Sequence, residues 1–90
     1  MLQLEILPPA EKYLKHLVPS LRRLIRLGID IIGKNPWCGK ALQDDLKGFY
    51  TYRAARYRII YRINDRRKRI EIHTIGPRET IYEDFEPPQS

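Results

Sequence analysis

The stretch from Tyr52 to Ile63, YRAARYRIIYRI, leaves a chain few ways to fold. It sets Arg53, Arg56, Arg58 and Arg62 among tyrosines, isoleucines and alanines that favour a core. A buried, unpaired guanidinium is costly, so each arginine must reach water, a counter-charge or a ligand. Strand periodicity meets that demand. Along Tyr57 to Ile63, residues Tyr57, Ile59, Tyr61 and Ile63 share one face, and Arg58, Ile60 and Arg62 share the other. The first set suits packing beneath helices. The second puts hydrated cations on an open face, a positive floor suited to polyphosphate.

The flanking segments supply the other layers. LQLEIL, Leu2 to Leu7, alternates apolar and polar residues and reads as a strand ended by Pro8-Pro9. Ala10 to Val18 reads as a short helix with Tyr13, Leu14 and Leu17 on one face. A second helix follows Pro19-Ser20, with Ser20 as N-cap. Its expected buried stripe is Leu21, Leu24, Ile25, Ile29 and Ile32, with Arg22, Arg23 and Arg26 largely outside. Gly33 and Asn35-Pro36 end it. Trp37 to Gly48 reads as a connector with a helical turn. Strands are expected at Phe49 to Ala54, Tyr57 to Ile63 and Lys68 to Ile75, with a short terminal one at Thr80 to Tyr82. The fold class is α+β, in the order β-α-α-β-β-β: an antiparallel sheet with an N-terminal helical hairpin packed on one face.

Ninety residues make one domain, 1–90, with 84–90 expected as a mobile tail. From Lys47 to Arg78 there are ten basic residues against Asp65 and Glu71, an excess of +8 in a chain of net charge +6. Such a block attracts phosphate backbones or an acidic protein, although a solvated basic face also confers solubility. No apolar run reaches the ~18 residues of a membrane span, and the N-terminus lacks the pattern of a signal peptide. The single cysteine, Cys38, forms no internal disulfide. A cytoplasmic location is the expectation. His16 and His73 have no second histidine or cysteine at ligand spacing, so no metal and no cofactor is expected.

YRAARYRIIYRI, preceded by LKG at Leu46 to Gly48 and followed by IGPRETIY at Ile75 to Tyr82, resembles the RelE/ParE superfamily of toxins from type II toxin–antitoxin systems. The resemblance covers nearly the whole chain and is most specific between Leu46 and Tyr82. It implies one of two activities. RelE-like members are ribosome-dependent endoribonucleases (mRNA interferases) that cut messenger RNA and so inhibit translation. ParE-like members inhibit DNA gyrase without nuclease activity. Either is silenced by a cognate antitoxin, RelB-like in the first case. The partners implied are therefore that antitoxin with the ribosome and mRNA, or alternatively gyrase.

Carried over by position, the resemblance implies catalytic roles for Arg58, Arg78 and Tyr82 and an antitoxin or RNA-backbone contact for Arg53. By charge, Lys47, Arg56, Arg62 and the run Arg66 to Arg69 are candidates for RNA phosphate contacts, although solubility explains the run equally well. RelE enzymes often carry lysines on the strand before the Tyr-Arg pair; here that strand reads FYTYRA. Cleavage through the 2′-hydroxyl needs a base, charge on the transition state and help for the leaving oxygen. A tyrosine serves as base where cations stabilise its phenolate, and arginines hold the phosphoryl oxygens bidentately. The RNA supplies its own nucleophile, so the reaction needs no metal and leaves a 2′,3′-cyclic phosphate. Each residue also has a structural reading: Tyr82 covering a core edge, Arg78 pairing with Glu79 for ~0–1 kcal/mol, His73 as a structural strand residue.

Overall fold

At the centre of the sheet is β4, Tyr57–Asn64, and the chain around it is built to cover its two unlike faces. The computed structural model describes residues 2–85 and 87. Glu86 and residues 88–90 of the expected mobile tail lie outside them. Before β4 come β1 (Gln3–Ile6), α1 (Pro8–His16), α2 (Pro19–Lys34), β2 (Lys40–Ala41), a 3-10 turn at Asp44–Leu46, and β3 (Phe49–Ala54). After it come β5 (Arg69–Pro77) and a helical turn, α3 (Ile81–Asp84). The five strands run in the order β1-β5-β4-β3-β2.

One face of the sheet takes the helices. Tyr61 and Ile59 of β4, with Ile70, Ile72 and Ile75 of β5, pack against Ala10 and Leu14 of α1 and Ile25, Ile29 and Ile32 of α2. Each such side chain contributes roughly 1.5–3 kcal/mol on burial. Gly28 lets α2 sit close: a Cβ there would stand 3.1 Å from Tyr52 Cε2 and 3.2 Å from Ile59 Cδ1. Arg22 reaches back across the helical hairpin. Its Nε donates to Leu14 O at 3.0 Å and its Nη2 to Leu17 O at 2.9 Å, satisfying carbonyls left open at the end of α1.

Several expectations are corrected in detail. The sheet is mixed: β2 to β5 are antiparallel, but β1 joins β5 in parallel, with Leu4 opposite Ile70. The intervening helices carry the chain across as a parallel pairing requires. Thr80 to Tyr82 adds no strand; Ile81 starts a helical turn instead. Pro19 occupies the first turn of α2, so Val18 rather than Ser20 stands at the N-cap. Leu24 is 40% exposed, because its place in the buried stripe is taken by Gly28, where the helix touches the sheet. Leu24, Leu27 and Ile31 instead form an exposed apolar stripe along α2, with Val18 before it and Trp37, 63% exposed, beyond it.

The connector after α2 is held by one phenol. Tyr61 Oη donates to Pro36 O at 2.8 Å and accepts from Gly39 N at 3.0 Å. Tyr50 stacks on Tyr61 with ring centroids 5.6 Å apart, and Trp37 meets Tyr50 edge-on at 5.9 Å. Burial pushes the Tyr61 phenol up to about 12 against the opposing hydrogen bond from Gly39, so it keeps the proton it donates. Gly39 is required here, since a Cβ would run into Tyr61 Oη and stand 2.8 Å from Thr51 O. Tyr61→Phe leaves Gly39 N and Pro36 O without this partner and is expected to lower the unfolding free energy by about 1–2 kcal/mol. Urea unfolding checks it through a lower midpoint at unchanged slope.

Candidate nucleic-acid interface

The other face of the sheet carries Phe49, Thr51 and Arg53 from β3, and Arg58, Ile60 and Arg62 from β4. Pairing places Phe49 opposite Arg62, Thr51 opposite Ile60, and Arg53 opposite Arg58. This face is divided into two ends of opposite electrostatic character, with an apolar middle.

At the hairpin end, arginines converge. Arg53 and Arg58 are a cross-strand pair, and Arg58 is in turn opposite Gly76 of β5. Like charges placed directly opposite cost roughly 0.2–1 kcal/mol. Ala55, in the turn that joins these strands, has φ 55, the left-handed region usually left to glycine, at a further cost of about 1–2 kcal/mol. Arg78 N donates to Arg56 O at 3.0 Å, tying the end of β5 to the same turn. Arg53, Arg56 and Arg78 are exposed, and Arg58 is half-buried. Among the described residues, Arg58 Nε and Thr51 Oγ1 are buried polar atoms without a hydrogen-bond partner. They lie on neighbouring cross-strand rows of one face, Arg58 opposite Arg53 and Thr51 opposite Ile60.

At the opposite end the charge is already balanced. Arg62 Nε and Nη2 donate to Glu71 Oε1 at 3.2 and 2.9 Å, and the guanidinium carbon lies 5.5 Å from the Phe49 ring centroid. Asn64 and Arg67 donate to Glu71 Oε2, each at 3.4 Å. Lys47, exposed, precedes β3 and belongs to this end. The structure thus groups Arg53, Arg56, Arg58 and Arg78, and leaves Arg62 and Lys47 apart from them.

Between the two ends, the face is covered. Ile81 and Phe85 pack on Phe49 and Ile60, and a Cβ at Gly76 would meet Ile81 Cδ1 at 3.3 Å. Tyr82 follows Ile81 on this turn and is 40% exposed. The sequence signal for this cover was Ile60 itself, an isoleucine between two arginines on the face expected to be open. Strict alternation along β5 would put His73 on one face with Glu71 and Ile75. A bulge opposite Ile60 and Tyr61 sends Ile75 to the helix side and leaves His73 with Glu71, Nε2 to Oε1 3.3 Å. Spacing alone could not show that bulge. Among the described residues no group of three His, Cys, Asp or Glu is placed to hold a metal ion, and no helix is long and apolar enough to cross a membrane.

A small mixed sheet, backed by a helical hairpin on one face and carrying an arginine row and a tyrosine-bearing turn on the other, defines a class of compact α+β domains. Comparison with known proteins names the family. Residues 4–86 match the model of the ParE-like toxin of type II bacterial toxin–antitoxin systems, and the chain belongs to that family, within the RelE/ParE toxins. The chain is 41% identical over 44 residues to Toxin RelE of Mycobacterium tuberculosis, a match covering 49% of this chain and 45% of that protein. It therefore spans about half the length of this curated relative. The fold is similar to the RelBE2 toxin–antitoxin complex of M. tuberculosis, with TM-score 0.76 and 24% identity over 86% of this chain and 98% of that one. It is also similar to the archaeal RelE–RelB complex of Pyrococcus horikoshii, with TM-score 0.67 and 26% identity over 86% and 94%.

The buried Glu71 yields a prediction. Burial alone would raise its carboxyl, but hydrogen bonds from Arg62, His73 and Asn64 outweigh that and hold it below its ordinary 4.5. A carboxyl depressed in the fold stabilises it above the unfolded value, and that stability is lost as pH falls through the folded value. Glu71→Gln is expected to cost about 2 kcal/mol at pH 7, with Arg62 partly hydrated and so partly compensated. The difference from wild type should shrink between pH 5 and pH 3, as measured by denaturant unfolding at each pH.

Proposed function

We propose that this toxin cleaves translated mRNA on the ribosome as a metal-independent endoribonuclease, with Arg58, Arg78 and Tyr82 as the reacting constellation. The observation that carries the reading is the hairpin-end row. Arg53 and Arg58 stand opposite each other, Arg58 Nε and Thr51 Oγ1 lack partners, and the turn bearing Tyr82 lies alongside. An anion relieves the arginine repulsion, so the row favours a phosphodiester over water.

In this mechanism Arg58 holds the non-bridging oxygens as they gain charge, and Arg78 supports the same charge from the end of β5. Tyr82 takes the proton of the 2′-hydroxyl as that oxygen attacks phosphorus. The bond from phosphorus to the 5′-oxygen breaks, that oxygen takes a proton from water, and the upstream product carries a 2′,3′-cyclic phosphate. Arg53 and Arg56 contact flanking phosphates. Arg62, held by Glu71, steers RNA by its field rather than by direct contact. A RelB-like antitoxin covers the molecule through the apolar stripe of Leu24, Leu27 and Ile31, laying an amphipathic segment along α2.

The ParE-like description of the matching family favours a second reading, inhibition of DNA gyrase without RNA cleavage. One pair of assays separates them. Mapping of mRNA 5′ ends in a translating extract is expected to show new cuts with wild type. Arg58→Ala and Tyr82→Phe should each lower their rate about a hundredfold or more. Intact mRNA with blocked gyrase supercoiling would establish the second reading instead.

A further inference from the structure

His73 is the buried titratable group that the proposed reaction does not use. It occupies the bulge in β5, and its ring is enclosed by two others. Phe49 meets it edge-on at 5.0 Å and Phe85 at 6.2 Å, while Phe49 and Phe85 meet each other at 5.3 Å. Glu71 accepts from Arg62 and Asn64, so its contact with His73 Nε2 makes that nitrogen the proton carrier. A second proton would then enter at Nδ1, in a residue only 7% exposed.

Phe85 is also one of two anchors of the turn that carries Tyr82. Ile81 seats the start of the turn against Ile60 and Gly76, and Phe85 seats its end against Phe49 and His73. Among the described residues, short-range backbone bonds hold it otherwise: Thr80 N to Pro77 O at 3.2 Å, and Glu83 N to Thr80 O and Phe85 N to Ile81 O, both 3.0 Å. One turn of helix with two apolar anchors is an element of low local stability. A charge placed in its aromatic seat acts on it directly.

We propose that His73 is a positioning residue for Tyr82: its neutral ring seats Phe85 and so fixes the Ile81–Asp84 turn over the sheet, and its charged ring releases that turn. The catalytic consequence rests on the nuclease reading; the coupling itself does not. The charged groups acting on the ring are Glu71 from its own strand, Arg62 from β4 and Glu5 from β1. The packed faces of β3 and the turn supply Phe49 and Phe85. Burial lowers His73 from its ordinary 6.5; Arg62 lowers it further, and the two carboxylates oppose them without prevailing. The released form therefore binds the proton more readily than the seated one. Lowering the pH below about 6.5 shifts the turn toward release.

The test is NMR of the full chain between pH 8 and pH 5, following the His73 ring and the exchange protection of the Phe85 amide, corrected for intrinsic exchange. Phe85 protection is expected to fall several-fold in step with His73 titration. His73→Phe, which keeps an aromatic ring without the charge, should show no such fall. It should also cut mRNA at pH 8 while lacking the acid loss of activity seen in wild type. Phe85 protection that stays constant while His73 titrates overturns the proposal, as does an equal fall in His73→Phe. The wild-type titration decides alone if the variant does not fold. Release of Phe85 with no mRNA cleavage at any pH supports the coupling and overturns the nuclease reading.

Discussion

A guanidinium on a sheet must be hydrated, paired or liganded, and the open side of this molecule is organised by that requirement. β4 carries Arg58 and Arg62 on the same face, four residues apart in a strand whose other side is fully committed to the helical core. Arg62 is paired: Glu71, almost wholly buried, accepts two of its donors. Among the described residues Arg58 has no such partner, and its cross-strand neighbour is another arginine. The same residue type in the same strand thus has two physical roles. One end of the face is a closed ion network, and the other is an unbalanced cationic row.

The rest of the fold keeps that division in place. Packing of α1 and α2 on Ile59, Tyr61 and Ile72 fixes which side of β4 faces outward, because a one-residue slip would exchange the faces. Tyr61 holds the connector to the back of the sheet through Pro36 and Gly39. On the front, Ile81 and Phe85 cover the isoleucine between the two arginines, on the turn that also carries Tyr82. The turn bearing the proposed base is thus the element that separates the paired arginine from the unpaired one.

Much of this was legible in the sequence. Alternation along Tyr57 to Ile63 gave both faces of the central strand, because period two is a strong constraint when one set of residues is all apolar. The positions of Arg58, Arg78 and Tyr82 came from a family resemblance, and the register sets Arg58 opposite Gly76, two residues before Arg78. What escaped was set by pairing rather than by pattern. The parallel alignment of β1 depends on which edge is free. The bulge at His73 reverses its relation to Ile75, and no local residue announces it. Glu71 read as one of two acids in a basic block; only the register shows it opposite Arg62. Leu24 fits a helical stripe by spacing, yet close approach at Gly28 turns that stripe and leaves Leu24 outside.

The division of the open face is tested most directly by the salt dependence of binding to a short single-stranded RNA. Each phosphate contact contributes about 0.7 to the slope of log affinity against log salt. Arg58→Gln is predicted to lower that slope by about 0.7, and Arg62→Gln to leave it nearly unchanged, since Glu71 already balances that charge. An unchanged slope for Arg58→Gln, or an equal loss in both variants, would contradict the account.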